Sequence, residues 1–324
     1  MKKLRVVLLG NHTVGVRTLE TLRACAEVVG VVCHPPDPED GVRYESLFDA
    51  SSKLGITNVI RAAPRDETLS KFIAAAQPDL LWTTDYRYIL PMPLVQLAPL
   101  GGINLHPSLL PRYRGRASIN WAILHGEHQL GLTAHMLAAG ADTGDIVGQI
   151  AFELFDHEDV GDALERLYPL YQQLTTRVMS SLADGSLRRV PQVEALATAF
   201  PRRTPADGAI NWSRSAIEIH NLIRAVTRPY PGAFTDVRGE RVFVWKSRIA
   251  KAQTVGSPGE VVWSDGSRRW VQTGDGILHI EEATDANGSA VDIRAGMRFE
   301  VETNGAPRSS AVPPGAPRPS AVGS

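Results

Sequence analysis

The sequence LRVVLLGNHTVGVRTLETLRACAEVVGVVC, residues 4–33, decides the fold of the first part of this chain. Two apolar runs, 6–9 and 28–33, lie on either side of a segment in which apolar residues recur with helical spacing. An apolar run, a helix-length segment and a second apolar run are typical of a β-α-β unit with parallel strands. This segment therefore predicts an α/β domain.

The same alternation of short apolar runs and helix-length segments continues beyond the middle of the chain. It predicts helices at 44–54 and 67–76, and strands at 59–60, 80–82, 102–106 and 132–137; the segment 146–155 and a long amphipathic segment at about 160–182 follow. Runs that are apolar throughout favour a mostly parallel, Rossmann-like sheet that is covered on both faces. Ligands of such sheets bind beyond the carboxyl ends of the strands, so polar residues that follow these runs are candidates for a binding cleft.

The pattern changes near residue 201, where Pro-Arg-Arg-Thr-Pro at 201–205 is typical of a linker. A predicted helix at 215–226 is followed by short β-type runs at 233–237, 242–245, 259–263, 270–273, 277–281 and 299–301. Short strands separated by turn residues predict a small, OB-like barrel. We therefore expect a catalytic domain at 1–200, a barrel domain at 201–303 and, because 304–324 has almost no large apolar residues, a disordered tail.

The composition limits the classes of function. The 324 residues are 43% hydrophobic and carry a formal net charge of −1, which offers no general basic field for nucleic acid. The early apolar run is broken by Gly10, and no apolar stretch reaches the roughly 20 residues that span a bilayer. Two cysteines, Cys25 and Cys33, without a Cys-x-x-Cys pair indicate reduced thiols. We expect a soluble, cytoplasmic protein.

Three side chains with complementary chemistry lie at the edges of predicted strands. The segment NLHPSLLPRYRGR, residues 104–116, contains Asn104 and His106, and a later GADTG contains Asp142. An amide, an imidazole and a carboxylate suit acyl transfer without a covalent intermediate. The same residues could also be a turn asparagine, a core histidine and a capping aspartate, and spacing alone does not decide between these interpretations.

Other chemical motifs are weaker. The turn at 10–15 lacks the middle glycine of a dinucleotide loop and has Val16 where a phosphate-binding loop needs lysine. His125 and His128 have no supporting cysteine or carboxylate spacing for zinc, so we expect no metal. The sequence has no Gly-x-Ser-x-Gly motif, which disfavours a covalent nucleophile.

The residues around the trio resemble a known family. Asn-x-His-Pro-Ser-Leu-Leu-Pro at 104–111, with the later GADTG, resembles the signature of formyltransferases that use 10-formyltetrahydrofolate. The segment 112–121 is similar to the branch containing methionyl-tRNA formyltransferase and the sugar N-formyltransferases, and most similar to the domain acting on UDP-4-amino-4-deoxy-L-arabinose. The likeness covers roughly 1–300. Pro107 departs from it, because glycine is usual there in this branch.

The resemblance implies an enzyme that transfers a formyl group from 10-formyltetrahydrofolate to an amine. Asn104 would stabilise the oxyanion, His106 would move protons, and Asp142 would raise the pKa of His106. The implied folate contacts are Tyr88, Ile89, Leu90, Arg116, Ala138, Ala139, Gly140 and Ala141. The implied acceptor contacts are His12, Thr13, Tyr86 and Arg114.

The acceptor is left open by the sequence. We expect a small-molecule amine, first of all a nucleotide-linked amino-deoxysugar. Methionyl-tRNA is the runner-up, but charges in 205–303 are nearly balanced where a tRNA-binding surface should be basic. A hydroxyornithine-type acceptor, a formate-releasing hydrolase and a binding module without activity are further alternatives. A homodimer is possible, and neither the oligomeric state nor the role of the second domain follows from the sequence.

Overall fold

The first β-α-β unit forms as the sequence predicts. The computed structural model describes residues 3–34, 44–64, 66–251, 255–266 and 268–300. In it β1 (Arg5–Gly10) and β2 (Glu27–Cys33) are parallel neighbours, and α1 (His12–Cys25) connects them. Val16, Leu19 and Leu22 lie on one face of α1 and are buried against the sheet, which explains the helical spacing of the apolar residues.

The remaining elements of the first unit follow in chain order. They are α2 (Leu47–Lys53), β3 (Val59–Arg61), α3 (Glu67–Ala76), β4 (Leu80–Thr84), α4 (Met92–Val95), β5 (Gly102–His106), β6 (Arg114–Gly115), α5 (Ser118–Leu124), β7 (Gln129–Met136), β8 (Ile146–Glu153), α6 (Val160–Ala183) and β9 (Ala199–Phe200). The predicted bounds of α3 and β5 agree with those in the structure.

A seven-stranded sheet in the described part of the chain carries the first unit. Its strand order is β3-β2-β1-β4-β5-β7-β8. The strands from β3 to β5 are parallel, and β7 and β8 are antiparallel to their neighbours, so the mostly parallel sheet is confirmed. The carboxyl ends of β1, β4 and β5 consequently lie side by side at one edge.

The second unit is a helix with a smaller antiparallel sheet. Its elements are α7 (Ala216–Val226), β10 (Ala233–Val237), β11 (Glu240–Ala250), β12 (Val261–Ser264), β13 (Arg269–Gln272) and β14 (Ile277–Thr284). Among the described residues these five strands pair in the order β10-β11-β14-β13-β12, consistent with the small barrel-like domain that the sequence predicts.

The strand predicted at 299–301 is wrong where the structure describes it. The backbone N–H of Phe299 donates to the carbonyl of Gly259, and that of Glu300 donates to the carbonyl of Asp236, each at 2.8 Å. Consecutive residues therefore bond to two different parts of the unit, and no ladder forms. Residue 301 and the tail predicted at 304–324 lie outside the described residues.

Buried polar side chains join the two units. The Arg224 guanidinium, on α7, donates to the carbonyls of Phe155 and Glu158 at 3.0 Å each. The Asn120 amide, on α5, donates to the carbonyl of Ala225 at 2.7 Å. Because these groups are buried, separating the units would leave them without partners. The chain after α7 is thereby held next to the first unit.

Candidate active site

A cavity of about 440 Å³ opens at the carboxyl ends of β1, β4 and β5. Such a volume is typical of small-molecule sites. The structure brings most of the predicted site residues to its wall: His12, Thr13, Tyr86, Tyr88, Ile89, Leu90, Asn104, His106, Arg116, Ala138, Gly140, Ala141 and Asp142. Ala139 and Arg114 do not line it.

The amide, imidazole and carboxylate of the trio meet at one end of this cavity. Asn104 and His106 are two positions apart on β5 and so project from the same face of the strand. Asp142 arrives from the loop after β7, the neighbouring strand. Its Oδ1 lies 3.5 Å from Asn104 Nδ2 and 3.6 Å from His106 Nδ1.

Two neighbours fix the orientation of the Asn104 amide. The Thr83 hydroxyl donates to Asn104 Oδ1 at 2.7 Å, and Asn104 Nδ2 lies 3.0 Å from His135 Nε2. His135 Nδ1 lies 2.9 Å from the carbonyl of Met136, which can only accept, so this nitrogen is a donor, and Nε2 lies 3.0 Å from Asn104 Nδ2 and 3.4 Å from Asp142 Oδ1. Nδ2 of Asn104 also donates to Asp142 Oδ1 across a long contact of 3.5 Å, which a reacting oxygen would have to displace.

His106 is oriented by a single backbone group. Its Nε2 lies 2.8 Å from the carbonyl of Tyr113, so Nε2 is the donor nitrogen of the neutral ring. Nδ1 then carries the lone pair and faces Asp142. A proton taken up by His106 must therefore arrive at Nδ1, beside a carboxylate.

The ionisation of His106 differs from the sequence-based expectation. Burial is the dominant influence and lowers the pKa of His106 below its usual value, although Asp142 and the Tyr113 carbonyl act in the opposite direction. The expected contribution of Asp142 is present, but the expected raised pKa is wrong because desolvation of the charged ring outweighs it. The neutral ring, which can accept a proton, is thus the resting form at neutral pH.

Asp142 is charged despite its burial. Burial by itself would raise its pKa, but His106, His135 and the N–H of Gly115 together hold the pKa of Asp142 well below the usual range. The Gly115 N–H donates to Asp142 Oδ2 at 2.8 Å. The site therefore pairs a fixed negative charge with a neutral base.

Sequence reasoning overlooked His135, Thr83 and Gly115 as parts of this arrangement. His135 lies directly opposite Asn104 in the register of β5 and β7. A histidine in an apolar strand that follows the motif was a usable signal, but the partner strand and register could not be read from the chain. In the described part of the protein, no group of three or more His, Cys, Asp or Glu side chains is arranged to hold a metal ion.

Two family models account for nearly the whole described chain. The model described as formyl transferase matches residues 4–179, which is more than half of the chain, and the formyl transferase C-terminal domain matches residues 202–299. The chain belongs to the formyl transferase family.

Solved structures with the same fold support the architecture of this formyltransferase. WlaRD, a sugar 3N-formyl transferase, is 18% identical, with 89% of this chain and 99% of that chain covered and a TM-score of 0.66. An N-formyltransferase from Helicobacter canadensis is 19% identical, with 88% and 100% covered and a TM-score of 0.65. HypX from Aquifex aeolicus is 16% identical, with 90% and 46% covered and a TM-score of 0.56.

Arg114 of the formyltransferase, predicted as an acceptor contact, lies behind the cavity wall. Its side chain is buried, donates from both terminal nitrogens to the Glu194 carboxylate at 2.9 Å, and also donates to Gln192 Oε1. The adjacent Gly115 faces Asp142, and the next residue, Arg116, lines the cavity. Of these three consecutive residues, Gly115 and Arg116 line the cavity and Arg114 does not.

The other end of the formyltransferase cavity is polar and aromatic. His12 Nδ1 and Asp85 Oδ2 are 2.5 Å apart, and both residues have positive φ angles, 57° and 53°, which are unusual outside glycine. The His12 ring lies 4.1 Å from the ring of Tyr44, measured between centroids. Tyr230, from the second unit, and Tyr171 also line this end. No helix among the described residues is long and apolar enough to cross a membrane.

Proposed function

We propose that this formyltransferase transfers a formyl group from 10-formyltetrahydrofolate to the primary amine of a nucleotide-linked amino-deoxysugar. The observation that carries the proposal is the meeting of Asn104, His106 and Asp142 at one end of a single cavity. The solved relatives add support, because WlaRD was crystallised with dTDP and 5-N-formyl-THF, and the Helicobacter canadensis enzyme with folinic acid and dTDP-3-aminofucose.

His106 would act as the proton carrier. The amine nitrogen forms a bond to the formyl carbon while His106 Nδ1 accepts the proton that the amine loses. The bond between the formyl carbon and the folate nitrogen then breaks, and the same proton is delivered to that nitrogen. Asp142 stabilises the charged ring between the two transfers, because its Oδ1 lies 3.6 Å from Nδ1. No other base is required.

Asn104 would stabilise the negative charge that develops on the formyl oxygen. Its Oδ1 accepts from Thr83, and its Nδ2 lies 3.0 Å from His135 Nε2 and 3.5 Å from Asp142 Oδ1, so the amide has a defined orientation in the cavity wall. A donor that is oriented before the reaction needs no reorganisation when charge appears. His135 and Thr83 thus belong to the support of the catalytic amide.

The folate would lie against the segment Tyr88–Leu90 and the loop 138–141. Both segments line the cavity except at Ala139, and Tyr88 and Ile89 are exposed by 43% and 61%. Exposed aromatic and aliphatic side chains at a cavity wall offer a surface for a flat ring system. Arg116 also lines the cavity, and we propose that it binds an anionic part of the folate.

The acceptor would occupy the end of the cavity that contains His12 and Asp85. Left-handed backbone at a non-glycine residue costs about 1–3 kcal/mol and is found mostly at functional sites. Here two such residues place a carboxylate and an imidazole in contact beside tyrosine rings. This chemistry suits the hydroxyl groups and ring faces of a sugar, and we propose Thr13 and Tyr86 as neighbouring contacts.

The second unit would take part in acceptor binding. We propose that the catalytic unit spans 1–200 and the second unit 201–303. On this division Tyr230 reaches the cavity from the second unit. Burial and the charge of Asp85 raise the pKa of Tyr230 to about 12, so its hydroxyl is present as a neutral donor.

Formyl gain by defined acceptors tests the proposal. The purified protein is incubated with 10-formyltetrahydrofolate and, separately, with dTDP- and UDP-linked aminosugars, hydroxyornithine and methionyl-tRNA, and each acceptor is weighed by mass spectrometry. We expect one formyl group on at least one nucleotide-linked sugar. Gain only by hydroxyornithine or methionyl-tRNA would reject the sugar assignment, and formate release without any amine would indicate a hydrolase.

A further inference from the structure

The backbone of the catalytic aspartate is held in an unfavourable conformation. Asp142 has a φ of 54°, in the left-handed region that aspartate adopts only at a cost. Its carboxylate contacts Asn104, His106, His135 and Gly115, but these contacts hold the side chain alone. A separate interaction with the main chain is therefore needed to keep this residue in place.

Gln192 supplies that interaction from outside the cavity. Its Nε2 donates to the carbonyl of Asp142 and to the carbonyl of Gly144, each at 2.7 Å. Its Oε1 accepts from Arg114 Nε at 3.1 Å and from Arg114 Nη2 at 2.9 Å. Carbonyls can only accept and a guanidinium can only donate, so the orientation of the Gln192 amide follows from its neighbours.

Arg114 is itself fixed on its far side. It forms the two-pronged ion pair with Glu194, and its backbone N–H donates to the carbonyl of Thr198 at 2.8 Å. The following residue is Gly115, whose N–H holds the Asp142 carboxylate. Gly115 has a φ of 92°, and an added Cβ would lie 2.4 Å from the carbonyl oxygen of Phe200. The strand pair β6–β9 therefore presents Arg114 and Gly115 in one rigid arrangement.

We propose that Gln192 is a positioning residue for catalysis, which holds Asp142 against His106 by linking its main chain to Arg114. Asp142 then accepts hydrogen bonds at two places, at its carboxylate from Gly115 and at its backbone carbonyl from Gln192. Gln192 does not line the cavity and acts only through Asp142. The inference rests on the proposed role of Asp142, but it concerns geometry and does not depend on which amine is the acceptor.

The consequence of losing this link can be read at His106. The groups that face His106 are the Asp142 carboxylate, the His135 ring and the Tyr113 carbonyl, and of these the carboxylate does most to favour the protonated ring. If Asp142 moves away, the protonated ring loses that support and titrates at lower pH. A residue that merely stabilises the fold would change the melting temperature without changing this titration.

The test is an NMR titration of His106 in the protein without substrates. Histidines are labelled with ¹³C, and the signal of His106 is assigned by its absence in His106→Gln. In Gln192→Met, which is close in size and removes both halves of the link without changing charge, we expect the midpoint of His106 to fall by about 0.5 pH unit. Asp142→Asn defines the full effect and should lower the midpoint further.

Two further variants serve as a control and as an independent test of the link. Gln173→Met makes the same change on an exposed face of α6 and should leave the midpoint unaltered. Arg114→Lys keeps the charge but lacks the guanidinium fork, and we expect it to lower the midpoint of His106 by less than Gln192→Met does. This variant replaces Gln192→Met in the test if Gln192→Met does not fold. An unchanged midpoint in the folded Gln192→Met or, failing that, Arg114→Lys overturns the proposal. So does an unchanged midpoint in Asp142→Asn.

Discussion

The two ends of the cavity are constructed in different ways. At the end that contains the trio, the polar atoms are bonded to the protein: Asn104 to Thr83 and His135, and His106 to a backbone carbonyl. At the opposite end, His12 and Asp85 pair with each other, and the Asp85 side chain is 42% exposed. The trio is the more buried group, with 6% and 15% of the His106 and Asp142 side chains exposed against 16% and 42% for His12 and Asp85, and we call the first the fixed end and the second the open end.

This difference indicates that the fold determines the reaction more strictly than it determines the acceptor. A fixed amide, base and carboxylate define a reaction and leave little freedom to the surrounding residues. The open end is formed by His12 at the start of α1, by Asp85 in the loop after β4, and by tyrosines from several elements, which can vary without disturbing the sheet. Substitutions at the two ends should therefore have distinct kinetic signatures.

The largest effect is expected at the fixed end. His106→Gln removes the only proposed proton carrier, so kcat should fall roughly 10²–10⁴-fold with little change in KM for the acceptor. The measurement is steady-state formylation with the acceptor found by mass spectrometry. His128→Gln, an exposed histidine outside the cavity, is the matched control. Turnover of His106→Gln within threefold of the native rate would remove His106 from the mechanism.

At the open end the effect should appear in KM. Asp85→Asn removes a charge that we propose binds the acceptor, and a hydrogen bond to a charged group contributes about 1.5–3 kcal/mol. We expect KM for the acceptor to rise about tenfold or more while kcat stays close to native. Asp184→Asn, on the exposed end of α6, makes the same change elsewhere. A fall in kcat at unchanged KM would assign Asp85 to the chemistry instead.

The pH dependence sharpens the contrast further. Burial lowers the pKa of His106 below the usual histidine value of about 6.5. Because His106 must be neutral to accept a proton, activity should increase with pH as the ring loses its proton, and this increase should be centred below pH 6.5. Asp142 remains charged throughout this increase. The profile of kcat at saturating acceptor between pH 4.5 and 8 measures it, with folding followed by circular dichroism. The absence of an increase below pH 6.5 that His106→Gln removes contradicts the assignment of His106 as a neutral base.

The smallest effect is expected where the second unit meets the cavity. Tyr230→Phe removes a hydroxyl that interacts with Tyr44 and Asn120 but keeps the ring. A neutral hydrogen bond contributes about 0.5–1.5 kcal/mol, so KM for the acceptor should rise about threefold. Tyr168→Phe, at the same cavity, tests whether any phenol has this effect. No change in Tyr230→Phe would leave the second unit without a part in acceptor binding.

The sequence predicts the fold well where one physical rule dominates. The bounds of α3 and β5 agree with the structure because apolar spacing and strand length leave few alternatives there. The strand predicted at 299–301 is wrong because backbone pairing depends on partners elsewhere in the chain. Phe299 is buried and apolar, as a strand residue would be, but bonds outside any ladder.

The site could be predicted in part for the same reason. Asn104, His106 and Asp142 carry recognisable chemistry at the ends of strands, and the structure brings them together. The pKa of His106 could not be predicted, because the degree of burial is a property of the packed core. Nor could the position of Arg114, whose partners Gln192 and Glu194 lie about 80 residues away in the sequence.

The helix α7 limits how this protein can be recombined. Its Arg224 is bonded to carbonyls of the first unit, Asn120 is bonded to its last turn, and the chain that follows carries Tyr230 to the cavity wall. A chimaera joined at the linker 201–205 would inherit its chemistry from one parent and part of its acceptor pocket from the other. Exchange of the second unit at this junction would therefore change the substrate preference. It requires that the first unit of the other parent has backbone carbonyls in the positions that accept hydrogen bonds from Arg224.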